Sequence, residues 1–160
     1  MTRHKTPVTP AVRVLRSERV PFEEHPYPYE EKGGTAVFAR EAGVNENRVI
    51  KTLVMDDEAA RPMIVLMHGD LEVSAKALAR QIGCKWIKPC DPATAQRHSG
   101  YKVGGTSPFG TRKSMTVYCE ETIMGLPLIY INGGSRGYGL SMTPGDMARV
   151  LRPTLVTVAR

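Results

Sequence analysis

The chain has 160 residues, 41% hydrophobic and 24% charged, with a formal net charge of +6 at pH 7. This length and composition are typical of one globular domain with its own core. No apolar run approaches the ~20 residues of a membrane span, and the start "MTRHKTPVTP" lacks the apolar core of a signal peptide, so we expect a cytoplasmic protein. The positive charge favours phosphate-rich partners without identifying one.

The first half of the chain alternates helix and strand signals. Residues 1–8 are expected to form a flexible basic tail, and 9–160 a single domain. Thr9 can cap a helix that opens with Pro10, "VPFEEHPY" is typical of a strand, and "TAVFAREAG" predicts a short helix closed by Gly43. The apolar runs "RVIKTLVMDD" and "RPMIVLMHG" predict two neighbouring buried strands joined by a hairpin loop.

The second half continues the same alternation. Ser74 caps a helix that ends at Gly83, "KWIKPC" is a short strand, and Asp91 caps a helix that runs to Gly100. "SMTVYCEE" and "PLIYING" predict strands, "GGSRGYG" a turn, "TPGDMARVL" a helix capped by Thr143, and "TLVTVAR" a strand that closes the sheet. These elements predict a mixed α/β fold, with helices around one curved, barrel-like mixed sheet.

Three cysteines, Cys84, Cys90 and Cys119, form no C-x-x-C pair, and their odd number argues against a closed disulfide framework. A metal site made of Cys84, Cys90 and His98 would have a spacing that matches no common zinc pattern. We therefore expect reduced thiols, no metal and no cofactor.

The segment "GYKVGGTSPFG" is rich in glycine and is followed by basic residues. Gly104 and Gly105 form either a simple turn or a loop whose backbone N–H groups approach an anionic ligand closely. Lys51 interrupts an apolar strand, and it is either a strand-edge lysine with its ammonium in water or a lysine at a pocket rim that attracts a phosphate or an oxyanion. Such donors can stabilise an acyl-transfer transition state without a reactive side chain.

No nucleophile is evident in the sequence. The serines near the glycine-rich segment have no acid and base in a triad arrangement, and "GTSPFG" is not a G-x-S-x-G elbow. If a bond is cleaved, water or a group of the substrate is the expected attacker. A pyridoxal phosphate enzyme with Lys51 in a Schiff base would need a phosphate cup that is not evident here.

Several segments together resemble a known family. "TPAVRVLRSERVPFEEHPY", "RVIKTLV", "DPATAQRHSGYKVGGTSPFGTRK", "YINGGSRG" and "GDMARVL" are similar in order and spacing to the YbaK/EbsC family of free-standing aminoacyl-tRNA deacylases. That family is similar to the editing domain of bacterial prolyl-tRNA synthetases. The resemblance implies hydrolysis of the ester between a wrong amino acid, foremost cysteine, and the terminal adenosine of tRNA(Pro). A proline site needs such editing because small differences in side-chain size supply only ~1–3 kcal/mol of discrimination.

The resemblance also implies roles for individual residues. Lys51 would hold the acceptor end or polarise the ester, and the N–H groups of Gly104 and Gly105 would cradle the carbonyl oxygen. In cysteine-specific members the thiol of the substrate is thought to attack its own carbonyl, which would explain a site without a nucleophile. The expected substrate-binding residues are Tyr27, Thr106, Ser107, Asn132, Gly133 and Gly139.

Two positions depart from the family pattern. Asn132 stands where a serine is usual, and Gly139 where an aspartate is expected. A carboxylate at the second position could engage the ammonium of the substrate, so its absence affects the identity of the amino acid more than the type of reaction. Cysteine remains the expected substrate, with alanyl and seryl esters as alternatives.

The expected partners are the acceptor end of tRNA(Pro) and prolyl-tRNA synthetase, with a monomer favoured. Four basic residues fit either a surface for acceptor-stem phosphates or a solvated charged face: Arg97, Lys102, Arg112 and Lys113. A protein that binds tRNA or a synthetase without turnover stays open as an alternative function.

Overall fold

The computed structural model describes residues 6–160. The predicted basic tail therefore lies mostly outside the described residues, and residues 6–8 precede the first helix without regular structure. No helix in the described part of the chain is both long and apolar enough to cross a bilayer.

Side-chain caps begin four of the five α-helices of residues 6–160. The helices are α1 (Pro10–Ser17), α2 (Gly34–Ala42), α3 (Ala75–Ile82), α4 (Pro92–Ser99) and α5 (Pro144–Leu151). The predicted caps Thr9, Ser74, Asp91 and Thr143 each accept a hydrogen bond from a backbone N–H of the first turn. These helix starts are confirmed because capping depends on local sequence.

In the described part of the chain, the strands form one mixed sheet of eight strands. They are β1 (Glu23–Pro26), β2 (Val49–Asp57), β3 (Pro62–His68), β4 (Ile87–Pro89), β5 (Thr116–Glu120), β6 (Ile129–Ser135), β7 (Tyr138–Met142) and β8 (Thr154–Val156). Their order is β1-β7-β6-β2-β3-β5-β8, and β4 pairs with β2. The mixed α/β fold is confirmed, and the sheet stays open because β1 and β8 lie at opposite ends of its path.

Strand directions follow from the connections. β2 and β3 form the predicted antiparallel hairpin, with Lys51 opposite Met67. On its other side β2 runs parallel to β6, with Ile50 opposite Ile131. The final strand β8 pairs in parallel with β5, as the sequence suggested for a closing segment.

One strand was missed by the sequence analysis. The segment "GGSRGYG" was predicted to be a turn, but its first residues belong to β6 and its last two to β7. All five residues of β7 are buried, and the strand pairs with both β6 and β1. The true turn is the short connection at Arg136 and Gly137, where Gly137 has φ 74°. Glycine-rich composition indicated a turn, whereas the glycines of these strands are close-packed against aromatic side chains.

Three apolar clusters support the sheet. The largest joins α1 and α5 to the central strands, and Leu15, Phe109 and Met147 in it are fully buried. A second packs α3 and β8 against β2 and β3. The third is small and lies between α2 and β2, where Phe38, Ala39 and Val49 meet. This third cluster borders the principal cavity of the molecule.

Candidate active site

The principal cavity has a volume of about 750 Å³ and lies against β2. It is bounded by α2, by the start of α4 and by the loop at residues 103–106. Five of the residues predicted for the site line it: Tyr27, Lys51, Gly104, Thr106 and Asn132. Residues that are far apart in sequence are therefore brought to one concave surface, which is typical of a small-molecule or substrate site.

Lys51 is the cation on the strand that crosses the cavity. It is partly exposed, and no ion pair of residues 6–160 includes it. Glu30 also lines the cavity, but its carboxylate is paired with Arg40. The ammonium of Lys51 is therefore available to an anionic group or a developing oxyanion of a ligand.

The two glycines of the loop differ in what they offer to a ligand. Gly104 lines the cavity with φ 88°, a backbone conformation that favours glycine. Gly105 is buried, and its N–H donates to the carbonyl of Lys102 at 2.8 Å. The expected pair of free donors is thus reduced in this structure, because the N–H of Gly105 is used to close the turn.

Side chains from neighbouring segments fix the position of this loop. Asn132 Nδ2 donates to the carbonyl of Gly104 at 3.0 Å, and Asn132 Oδ1 accepts from the N–H of Gly134 at 2.8 Å. Arg136 Nε donates to the carbonyl of Val103 at 2.9 Å. Two successive carbonyls of the loop are therefore bound to the β6–β7 hairpin.

Tyr29 adds contacts to both the loop and the hairpin. The guanidinium of Arg136 lies 5.1 Å from the centre of the Tyr29 ring. A Cβ at Gly104 would lie 2.9 Å from the hydroxyl oxygen of Tyr29. The Tyr29 ring consequently contacts the loop at Gly104 and the hairpin at Arg136.

Three other predicted substrate-binding residues do not line the cavity. Ser107 is fully buried, and its Oγ accepts from the N–H of Phe109. Gly133 is also buried, and its carbonyl accepts from Thr9 Oγ1 at 2.6 Å. A Cβ at Gly139 would lie 2.0 Å from Cζ of Phe38, so the Phe38 ring separates Gly139 from the cavity. These three positions are therefore covered by other parts of the protein.

The cavity contains a cysteine but no activated nucleophile. Burial, with the Asp56 carboxylate as the next contribution, raises the pKa of Cys90 to about 11. Its thiol is therefore protonated at neutral pH, and a protonated thiol is a weak nucleophile. This supports the expectation that the attacking group comes from water or from the substrate.

The three residues considered for a metal site are not found together. Cys84 lies with Asp57 and Glu58, the one group of three ligand-type side chains that meet within residues 6–160. The Asp57 carboxylate accepts from Arg61, and that of Glu58 accepts from the N–H of Lys85. The acceptors of this acidic cluster are thus used within the protein.

The predicted basic residues are exposed and fall into two places. The N–H of Arg112 donates to the carbonyl of Ser99, and the N–H of Lys113 to that of His98. These bonds place both residues against the last turn of α4, which carries Arg97 and belongs to the helix whose first residues line the cavity. Lys102 lies separately, at the start of the glycine loop. We call the first three cations, Arg97, Arg112 and Lys113, the basic surface.

The pKa of His98 depends on the charges of this basic surface. Its pKa is lowered first by burial and then by the charges of Lys113 and Arg97. The Asp56 carboxylate acts in the opposite direction, but it is the smallest of the four contributions, so the neighbouring cations disfavour the protonated imidazole. An anion bound here would relieve that repulsion.

Among the cavity residues that the sequence analysis missed are Tyr29, Phe38 and Arg136. Phe38 sits in an apolar helix, where its periodicity indicates only a core residue. Arg136 lies within the segment predicted as a turn. Tyr29, two residues after Tyr27 in "HPYPY", was the available signal, because an exposed aromatic in a proline-rich loop often belongs to a binding surface.

The fold and this cavity define an α/β protein with a partly apolar cavity that carries charged side chains and lies beside a clamped glycine loop. Residues 30–150 match the model of the aminoacyl-tRNA editing domain. The match covers most of the chain, and the protein therefore belongs to the aminoacyl-tRNA editing domain family.

Relatives agree with this assignment. The chain is 28% identical over 137 residues to EbsC of Enterococcus faecalis, whose name proposes a Cys-tRNA(Pro)/Cys-tRNA(Cys) deacylase, and the match covers 85% of this chain and 84% of that protein. The chain is also 22% identical over 104 residues to a proline–tRNA ligase of Limosilactobacillus fermentum. This match covers 62% of the chain but only 18% of that enzyme.

Solved structures share the fold at lower identity. A protein described as a proposed trans-editing enzyme for prolyl-tRNA synthetase matches with a TM-score of 0.82 and 17% identity, over 96% of this chain and 99% of that chain. The hypothetical protein APE2540 matches with a TM-score of 0.87 and 17% identity, over 94% of this chain and 99% of that chain. The YbaK/EbsC-type fold expected from the sequence is confirmed.

Proposed function

We propose that the protein is a trans-editing deacylase that hydrolyses the ester of misacylated tRNA, with Cys-tRNA(Pro) as the principal substrate and Ala- or Ser-tRNA as alternatives. The observation that carries this proposal is Lys51, which has no ion-pair partner among residues 6–160 and lies in a cavity with Gly104 and with a cysteine that is not activated. Membership of the editing family and the likeness to EbsC support the same chemistry.

In the water route, water attacks the acyl carbon, the bond to the ester oxygen breaks, and that oxygen takes a proton from the water and leaves as a hydroxyl of the terminal ribose. In the thiol route, the sulfur of a cysteinyl substrate bonds to its own acyl carbon as the ester bond breaks, and the thiol proton goes to the ribose oxygen. Water then opens the resulting cyclic thioester, which restores the thiol and gives the free amino acid. Negative charge develops on the carbonyl oxygen, where the Lys51 ammonium and the Gly104 N–H would stabilise it more than they stabilise the neutral ester. Gly105 then contributes by closing the turn through Lys102.

A substrate thiol would gain from its tether to the acyl carbon. An intramolecular attack has a large effective concentration, so positioning alone accounts for much of the rate. In the water route, by contrast, the protein must hold the nucleophile. Cysteinyl esters should therefore react faster than alanyl or seryl esters.

The tRNA would be held by its phosphates. The basic surface lies at the end of α4, the helix that begins at the cavity, and Lys102 lies on the loop that borders the cavity. Contacts to phosphates position a nucleic acid without reading its sequence. Selection of tRNA(Pro) would then depend on the acceptor end or on prolyl-tRNA synthetase as a partner, in the cytoplasm, where charged tRNA is used.

Single-turnover release of the amino acid from Cys-tRNA(Pro) tests the proposal, with Ala-tRNA(Pro) measured beside it. We expect Lys51→Ala to reduce cysteine release by about 10²–10³-fold, the usual effect of removing one oxyanion donor. Lys76→Ala is the matched control, since Lys76 is an exposed lysine of α3 that does not line the cavity. No release by the folded wild-type protein from any of the esters would favour the adaptor function instead.

A further inference from the structure

Phe38 separates two cavities. Both the principal cavity and a smaller one of about 230 Å³ are lined by Phe38 and Tyr27. The smaller cavity is polar on its far side, where its other lining residues are Glu24, His25, Pro26, Glu41 and Ala42. The Phe38 ring is therefore a partition between the principal cavity and a smaller cavity lined partly by polar residues.

Contacts on several sides hold the ring in place. Tyr27 stacks on it with ring centres 4.8 Å apart and planes 17° apart, and Tyr130 meets it edge-on at 6.1 Å. Phe38 is only 3% exposed. A partition so tightly packed cannot move without disturbing its aromatic neighbours.

Gly139 is what allows the ring to occupy this position. A Cβ at residue 139 would lie 2.0 Å from Cζ of Phe38 and 2.3 Å from Cε2, which is far inside contact distance. Gly139 has no positive φ that would itself require glycine. The glycine is therefore explained by the ring above it rather than by its backbone.

We infer that Phe38, seated on Gly139, sets the upper size limit for the aminoacyl side chain that the cavity accepts. The inference rests on the proposed function and deepens it: the substrates are aminoacyl groups with small uncharged side chains, and the prolyl group is excluded. A rigid wall excludes a larger group sterically, whereas it discriminates weakly between small groups. An editing enzyme needs this exclusion, because the correctly charged Pro-tRNA(Pro) must survive.

The test uses binding, so that it does not depend on turnover. The probes are 3′-alanylamino-3′-deoxyadenosine and 3′-prolylamino-3′-deoxyadenosine, in which an amide replaces the labile ester. Calorimetric titration of the wild-type protein should show tighter binding of the alanyl probe. In Phe38→Ala the ratio of the two dissociation constants should fall by at least tenfold, mainly through tighter binding of the prolyl probe. Phe38→Leu, which keeps an apolar side chain, should lie between.

Phe22→Ala is the matched control, because Phe22 packs against the core of α1 and does not line either cavity. It should leave the ratio unchanged. An unchanged ratio in folded Phe38→Ala and Phe38→Leu would overturn the inference, and so would a failure of both probes to bind the wild-type protein.

A second measurement tests the seat of the ring and needs no ligand. Gly139→Ala should lower the urea midpoint of unfolding of the wild-type protein. In a chain that already carries Phe38→Ala, the same substitution should lower the midpoint by less than half as much, because the ring that would collide with the new Cβ is absent. Equal shifts in both backgrounds would show that Gly139 does not seat the ring.

Loss of hydrolysis with the ratio of dissociation constants as expected would refute the proposed chemistry and leave the size limit standing. Hydrolysis with an unchanged ratio would refute the size limit alone.

Discussion

Asn132 on β6 donates from Nδ2 to the carbonyl of Gly104 at 3.0 Å, and this bond joins the sheet to the glycine loop. The same side chain accepts from the N–H of Gly134, so its carbonyl oxygen and one of its donors are used within the protein. Asn132 is thus suited to position the loop. This differs from the direct contact with substrate that the sequence suggested, and it explains why an amide stands here.

Asn132→Ala should therefore reduce the rate of deacylation by about 10-fold to 10²-fold, because a shift of the loop by about 1 Å displaces Gly104 from the reacting oxygen. Single-turnover kinetics measure the rate, and hydrogen exchange of the loop amides measures its mobility. We expect faster exchange at Gly105 in the variant. Normal exchange together with a normal rate would contradict the positioning role.

Gly104→Ala should destabilise the protein by about 1–2 kcal/mol from backbone strain alone, since Gly104 has φ 88°. The new Cβ would also approach the hydroxyl oxygen of Tyr29 to 2.9 Å. Tyr29→Ala in the same chain should recover the steric part and leave the strain. Urea unfolding of the single and double variants separates the two effects.

Gly145→Ala is the control for that series, because Gly145 lies in α5 with open space around it and no positive φ. It should stabilise the protein by about 0.5–1 kcal/mol, as alanine is favoured over glycine within a helix. A similar gain at Gly104 would show that the loop is not constrained there.

His98 should report the binding of RNA phosphates. Its pKa is lowered by burial and by Lys113 and Arg97, so an anion on the basic surface should raise it. Proton and carbon NMR of the ring, measured with and without an acceptor-stem RNA, would follow this change. His25, which hydrogen-bonds with Ser141 on β7, is the internal control. A titration curve of His98 that is identical with RNA would remove the basic surface from the interface.

The salt dependence of RNA affinity tests the same surface by charge. If Arg112 contacts a phosphate, Arg112→Ala should reduce the slope of log affinity against log salt by about 0.9 for duplex contacts. Arg80→Ala is the matched control, since Arg80 is exposed on α3, and it should leave the slope unchanged. Equal slopes for the wild-type protein and Arg112→Ala would mean that Arg112 is only solvated.

Glu120 should make the protein sensitive to acid. Burial acts to raise the pKa of Glu120, but hydrogen bonds from the N–H groups of Val158, Thr122 and Ala159 outweigh it and hold the pKa below its usual value. The stability that this carboxylate provides is present above its unfolded pKa of about 4.3, and it is lost as the pH falls through the lower folded value. The free energy of unfolding should therefore decrease below about pH 5.

Glu120→Gln should weaken this pH dependence, and it should cost about 1–3 kcal/mol at neutral pH because buried N–H groups lose a charged acceptor. Glu121→Gln, at the exposed neighbouring position, is the control and should change neither. Equal acid sensitivity in wild-type protein and Glu120→Gln would assign the loss of stability to other groups.

Local signals in the sequence predicted the helices well and the site in part. Caps such as Thr9 and Asp91 act within one turn, so the chain near them determines the outcome. The polar exception of Lys51 in an apolar strand was also visible, and the structure places it in the cavity. Its role stays a prediction.

What the sequence could not supply depends on contacts between distant segments. Gly139 is unexplained until Phe38 is seen above it, and the loss of the Gly105 donor depends on how the loop closes. The strand β7 was missed because glycine lowers strand propensity, whereas packing against rings and pairing on both sides stabilise it. Each of these errors reflects tertiary structure overriding a local preference.

The pairing of β2 has a consequence for synthesis of the protein on the ribosome. β2 can form its hairpin with β3 early, but its other partner, β6, is translated much later and brings Asn132 with it. Lys51 can thus be ordered on a nascent chain while the glycine loop still lacks its clamp. Because such distant parallel pairing is slow to form, the active cavity should be among the last parts of the molecule to be completed.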